Sequence, residues 1–214
     1  MTSSQNGNAS RVRGIHAIPD GPEVDVYVDG NRVLQNLAFK DVSDYLEFEP
    51  GRYTVQVAPA GQGQGSAVVD EQVTLDANTD YTIAAGGTLE SPKAFVFVDE
   101  NQVPPENQAR LRAVHLSPDA PAVDIAAEGN VLVKGLKYGT ASEYVEVPAG
   151  SYSIEVRPAG SNEAVATFDV NLEGGTVVSA FAVGFLQTND DAQAFDLLPV
   201  VDAPSGMMTT TTMT

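Results

Sequence analysis

The chain has 214 residues, 43% of them hydrophobic, enough for one large or two small packed domains and too apolar for a disordered chain. It has no cysteine, which excludes a disulfide scaffold, a zinc–thiolate centre, an iron–sulfur cluster and a thiol nucleophile. Acidic residues outnumber basic ones 29 to 11, and a net charge of −18 argues against nucleic acid and anionic membrane surfaces as partners.

Residues 1–10, MTSSQNGNAS, are polar and low in complexity and read as a disordered tail. They lack the apolar stretch of a signal peptide, so an exported location requires that one was removed or lies outside this chain. No later segment approaches the ~18 apolar residues of a membrane helix. From Arg11 the apolar residues recur with period two. RVRGIHAI (11–18) is the first strand candidate, followed by VDVYVDG (24–30). The latter sets Val24, Val26 and Val28 on one face and Asp25, Tyr27 and Asp29 on the other. That parity leaves Tyr27 as an exposed aromatic. DYLEFE (44–49), RYTVQV (52–57), SAVVDEQVTL (66–75), DYTIAAG (80–86) and KAFVFVD (93–99) continue the series. PDGP, DGN, EPG and DANTD punctuate it with turn residues, which predicts an antiparallel β-sandwich of about seven strands. The best helical stretch is a single turn near Asp41–Tyr45. In PGRY, Gly51 permits a tight turn. Tyr53 then enters its strand with the ring on the core face and the hydroxyl within reach of backbone at the sheet corner. AGSY repeats the device with Gly150 and Tyr152.

Residues 99–109, DENQVPPENQA, read as a polar, semi-rigid linker around a Pro-Pro pair. Beyond it the chain repeats itself. RLRAVHLSPDAPAVDIAAEGN (110–130) aligns with RVRGIHAIPDGPEVDVYVDGN (11–31), without a gap through the PAG of 59–61 and 158–160. Twenty of those 51 positions are identical, too many for chance, so the two segments are homologous. A period near 100 residues is a domain rather than a solenoid unit. The expected organisation is a β-sandwich at 11–98, the linker, a second at 110–202, and a Thr-rich tail at 203–214. That tail, ending MMTTTTMT, reads as disordered or as a stalk.

The two histidines, His16 and His115, occupy matched positions, and each precedes two aspartates: Asp20 and Asp25, Asp119 and Asp124. Imidazole with carboxylates can serve a metal or acid–base site. Zinc normally takes three or four ligands, and each repeat has one histidine, so a structural role is the favoured reading. The ring then hydrogen-bonds a turn carboxylate in a loop fixed by Pro19 and Pro22, or by Pro118 and Pro121. Ser117, His115 and Asp119 lie too close along the chain for triad geometry, and no G-x-S-x-G elbow is present. Asp190–Asp191, or Asp25 with Asp29, could offer oxygen ligands to calcium, without the spacing of a calcium loop. None of Lys40, Lys93, Lys134 and Lys137 has a lysine at its matched position, which disfavours an isopeptide bond serving both repeats. Lys134 faces Gln35 and Lys137 faces Ala38.

The run HLSPDAPAVDI (115–125), its copy HAIPDGPEVDV (16–26) and the strand-plus-Gly-Asn turn that follows resemble the domain-of-unknown-function family numbered 4397. The resemblance covers both repeats. The first copy departs from the second in having Ile18 and Gly21 where Ser117 and Ala120 stand. The resemblance implies an immunoglobulin-like or prealbumin-like sandwich, often in tandem, in exported or surface proteins, and it implies no activity. The expected function is a non-enzymatic extracellular or cell-surface module, structural or adhesive, assembling through edge strands and tails into a filament or surface layer. The alternative is a surface protein that binds carbohydrate or calcium. No cofactor and no bound metal are expected. The expected partners are further copies of the chain or other surface components. An acidic surface poor in lysine suits a salty medium, or an ordinary acidic secreted protein.

Overall fold

A computed structural model of the chain describes residues 8–203. The expectations for the chain before Asn8 and for 204–214 lie outside the described residues. The chain divides into two compact units. The first runs through Asp99 and includes Leu116–Asp119 and Val183–Phe195. The second takes Glu100–His115, Ala120–Ala182 and the residues from Asp196 on.

The first unit carries eight strands: β1 (Ser10–His16), β2 (Val24–Val28), β3 (Asn31–Leu37), β4 (Leu46–Phe48), β5 (Gly51–Pro59), β6 (Val69–Leu75), β7 (Asp80–Thr88) and β8 (Ser91–Asp99). They form two sheets, in the orders β4-β1-β7-β8 and β3-β2-β5-β6. The second unit repeats them as β9 (Gln108–His115), β10 (Val123–Ala127), β11 (Asn130–Leu136), β12 (Val145–Pro148), β13 (Gly150–Pro158), β14 (Ala166–Leu172), β15 (Thr176–Val183) and β16 (Asp196–Ala203). Its sheets are β12-β9-β15-β16 and β11-β10-β13-β14. The protein is therefore all-β, built of tandem sandwiches. β1 pairs antiparallel with β4 but parallel with β7, and β9 likewise runs parallel to β15. The long route from β1 to β7 through the opposite sheet frees that pair from the antiparallel direction a hairpin imposes.

The strand that periodicity missed is β3. Its pairing with β2 slips between Val24 and Tyr27, and Asn36 sits at φ 55°, so its apolar residues never alternate cleanly. The turn into it is legible: Asp29 (φ 47°) and Gly30 (φ 81°) both take the positive φ of a type I′ hairpin. Asp41–Tyr45, expected to turn helically, forms no helical turn, and Val42 makes an antiparallel bridge to Ile15. The one helical turn among the described residues is 3-10, at Gln64–Ser66. The core forms where the inner faces of the sheets meet, with Val55, Val73 and Leu75 packed on Tyr81 in the first unit. In the second, Leu172 packs on Ala109 and Val178. Tyr27 is not an exposed aromatic: it is 8% accessible, because β2 is covered on both faces.

Candidate functional site

Each repeat of the sequence presents the same two polar constellations. The first is the His–Pro–Asp loop after β1 or β9. His16 closes β1 and is fully buried. Its Nε2 donates to the Pro22 carbonyl at 2.9 Å, and its Nδ1 accepts the Ile18 N–H at 3.2 Å. The expected carboxylate partner is thus replaced by backbone. A ring at the end of a buried strand meets the loop's own carbonyls and amides first, and these need pairing. Both ring nitrogens are used in the neutral tautomer. Burial pulls the imidazole below its ordinary value of 6.5, with the Pro22 carbonyl and Asp41 opposing. His115 repeats this, buried and 3.0 Å from the Pro121 carbonyl, and burial lowers it in the same way.

The aspartates brace the same loop against distant backbone. Asp20, in the turn after buried Pro19, accepts the Leu89 N–H at 2.8 Å. Asp119, beside half-buried Pro118, accepts Leu186 at 2.7 Å and Gln187 at 2.9 Å. Asp25 is wholly buried and takes N–H bonds from Asn36 (3.0 Å) and Gly61 (3.2 Å) and the Arg32 guanidinium at 3.3 Å. Burial pushes this carboxyl up, and the amides and Arg32 outweigh it, so it lies below the ordinary carboxylate value. Asp124 accepts Gly135 at 2.6 Å and Gly160 at 3.0 Å, and these two amides hold it low against burial. Tyr53 and Tyr152 donate their hydroxyls to the carbonyls of Glu49 (2.8 Å) and Pro148 (2.7 Å) at the sheet corners.

The second constellation was not singled out from sequence. Arg13, 2% accessible, donates through Nε to Thr82 Oγ1 at 2.8 Å and lies 3.8 Å from Asp99. Its guanidinium covers the Tyr45 ring, 4.9 Å from the centroid. Thr82 and Tyr45 donate to the same Asp99 oxygen, at 2.7 and 2.6 Å. The second unit reproduces it: Arg112 Nε to Ser179 at 2.7 Å, Ser179 to Asp202 at 2.6 Å, Tyr144 to Asp202 at 3.1 Å, and Arg112 over Tyr144 at 4.9 Å. Its signal was present in the repeat, where Arg13 matches Arg112 and Tyr45 matches Tyr144. The aspartate could not be matched by eye, because the second copy carries extra residues before β16.

In both constellations the contacts made by the histidines, aspartates and arginines are to other groups of the protein. Ser117 is buried, with its hydroxyl 3.4 Å from Asp119 Oδ1. Asp29 accepts the Thr54 N–H and Asp190 accepts the Ala192 N–H, while Asp25 is saturated by protein donors. Among the described residues no group of three or more His, Asp or Glu is placed to hold a metal ion.

The family model described as "Domain of unknown function (DUF4397)" matches residues 10–126 and again 117–212. No curated protein matches. Among the solved structures similar to this chain at a distance are two of named proteins. The TIE protein of Bacillus anthracis is 14% identical, with a TM-score of 0.26, over 82% of this chain and 34% of that one, so the chain spans about a third of its length. The CBMbc module (family CBM26) of Eubacterium rectale Amy13K, solved with maltoheptaose, is 10% identical, with a TM-score of 0.28, over 86% of this chain and 99% of that one.

Proposed function

The chain belongs to the DUF4397 family, and from that premise we propose that it is a non-enzymatic structural module of the cell surface or extracellular space that associates with copies of itself. The observation that carries this reading is the matched exposure at the sheet edges. β8 and β16 each end a sheet and pair there with one neighbour. Each exposes a valine just before its buried aspartate: Val98 at 54% and Val201 at 53%. Edge strands with apolar side chains and no lysine guard at that point invite pairing with another chain. The saturated histidines, aspartates and arginines support a module without chemistry, because no activated nucleophile or free acid–base pair is left among them. Two edges at matched places on one chain allow head-to-tail contacts, which build filaments or layers. The acidic surface favours a saline medium, where repulsion between copies is screened.

Light scattering and negative-stain microscopy of the purified chain over a range of protein and salt concentrations test this. The expected result is growth of ordered polymers with salt, lost in a Val98→Lys/Val201→Lys variant and compared with a chain lacking residues 205–214. A parent that stays monomeric at high concentration and high salt overturns the assembly reading.

A further inference from the structure

We propose that an open cleft in the second unit binds the anionic group of an acidic sugar, a carboxylate or a sulfate. The cleft has a volume of about 460 Å3 and lies between edge strand β11 and the loop leading into β12. Leu132, Val133 and Val145, all half-buried, contribute apolar lining, while Lys134, Lys137 and Thr140 are exposed on it.

The charge of the cleft is the unusual feature. The chain has four lysines in a molecule of net charge −18, and both lysines of the second unit line this one cleft. Neither ammonium lies within ion-pair distance of a carboxylate among the described residues, although Lys134 is near enough to help hold the buried Asp124 carboxyl low, and Arg11, Arg13, Arg32, Arg110 and Arg157 each find a carboxylate. Glu143 is the only acid lining the cleft. The first unit supplies an internal comparison. Its matched positions carry Gln35 and Ala38 in place of the lysines, and Asp41 and Asp44 in place of Thr140 and Glu143. The cleft therefore holds two cations and one anion, where the four matched positions of the first unit hold two anions, with Lys40 elsewhere in that loop, so the two lysines are not a requirement of the sandwich.

The backbone separates a sugar from an added peptide strand. The pairing of β11 with β10 slips at two places, and Gly135 sits at φ 63°. Such irregularity prevents the regular ladder that strand addition needs. A compact anion on a ring needs only the two point charges and an apolar surface for the ring face. The proposal does not rest on self-assembly, since the cleft lies on a different strand from Val98 and Val201.

The test is titration of the full chain by calorimetry with an oligogalacturonate (carboxylate), a heparin oligosaccharide (sulfate), neutral dextran and an oligoglutamate peptide, in about 0.15 M and about 1 M NaCl. The expected result is saturable binding of one acidic oligosaccharide, weakened in high salt, with none for dextran. Lys134→Ala/Lys137→Ala should weaken it at least about tenfold, whereas Lys93→Ala on β8 leaves it unchanged. Circular dichroism should show both variants folded, since all three side chains are exposed. The carboxylate and sulfate arms identify which anion is preferred. Absence of saturable binding to either acidic sugar, equal binding by the double variant, or lysine-dependent binding of oligoglutamate alone would each overturn the proposal.

Discussion

His16 contributes to the fold by staying neutral. With Nε2 donating to Pro22 and Nδ1 accepting from Ile18, a second ring proton would point at an N–H donor. Protonation is therefore disfavoured by burial and by geometry alike. The sign of the pH dependence follows. A histidine held below 6.5 in the fold takes up its proton first in the unfolded chain, so stability is full above pH 6.5 and declines as pH falls below it. Asp25 and Asp124, held below the ordinary 3.8, add a second loss only at lower pH. We predict that the urea midpoint is flat above neutrality and falls between about pH 6.5 and 5. In His16→Ala/His115→Ala that slope should be flatter. Each single replacement should cost about 1–3 kcal/mol at pH 7.5, by removing a fully buried ring together with its hydrogen bond to the loop backbone. A parent whose midpoint does not move in that window would refute the neutral-ring account. Arg13 obeys the opposite rule, since it must stay charged. Its pair with Asp99 is supplemented by Thr82 and the Tyr45 ring, and this added hydrogen bonding is what makes a buried ion pair tolerable.

Among the elements, the hairpins between β2 and β3 and between β10 and β11 decide register. Both use two residues at positive φ, Asp29–Gly30 in one and Glu128 (φ 50°)–Gly129 (φ 80°) in the other. Aspartate tolerates this region, and Asp29 gains a bond from Thr54 in doing so. Glutamate has no such compensation, and left-handed backbone costs an ordinary residue roughly 1–2 kcal/mol. Glu128→Asn should therefore raise stability by about 0.5–1 kcal/mol, read as a higher melting temperature. An unchanged or lower value would mean that the turn in the second unit relaxes away from type I′. β3 itself was illegible because a strand reading needs alternation, and the slip in its pairing removes it. β8, with its Val96 and Val98, was legible from KAFVFVD, but its place at the sheet edge was not.

For the molecule as a whole, −18 is spread over both units, so folding brings like charges together at many places rather than in one tail. The Debye length falls from ~30 Å at 0.01 M salt to ~3 Å at 1 M. Added NaCl or KCl should accordingly raise the melting temperature, mostly at the low end of the range. The buried Arg13–Asp99 pair, 2% and 0% accessible at its side chains, should contribute little to that slope, because solvent ions screen it poorly. A flat or falling curve would remove the case for a saline habitat.

The sequence by itself determined the class and the repetition. Period-two alternation and turn residues specify strands locally, and the aligned identities from Arg11 to Gly61 make the second half a copy of the first. It also marked His16, Asp25, Tyr53 and their counterparts as a matched set. Only the tertiary structure decided what each of them touches. Asp25 and Tyr27 carry the parity of a solvated face, yet both are buried, because what covers a face comes from residues far along the chain. The Arg13–Thr82–Asp99–Tyr45 cluster joins positions up to 86 residues apart, through a parallel pairing of β1 and β7 that no local pattern encodes. The lysine cleft of the second unit was visible as two unmatched lysines. That they share one opening follows only from the path of β11 beside the loop into β12.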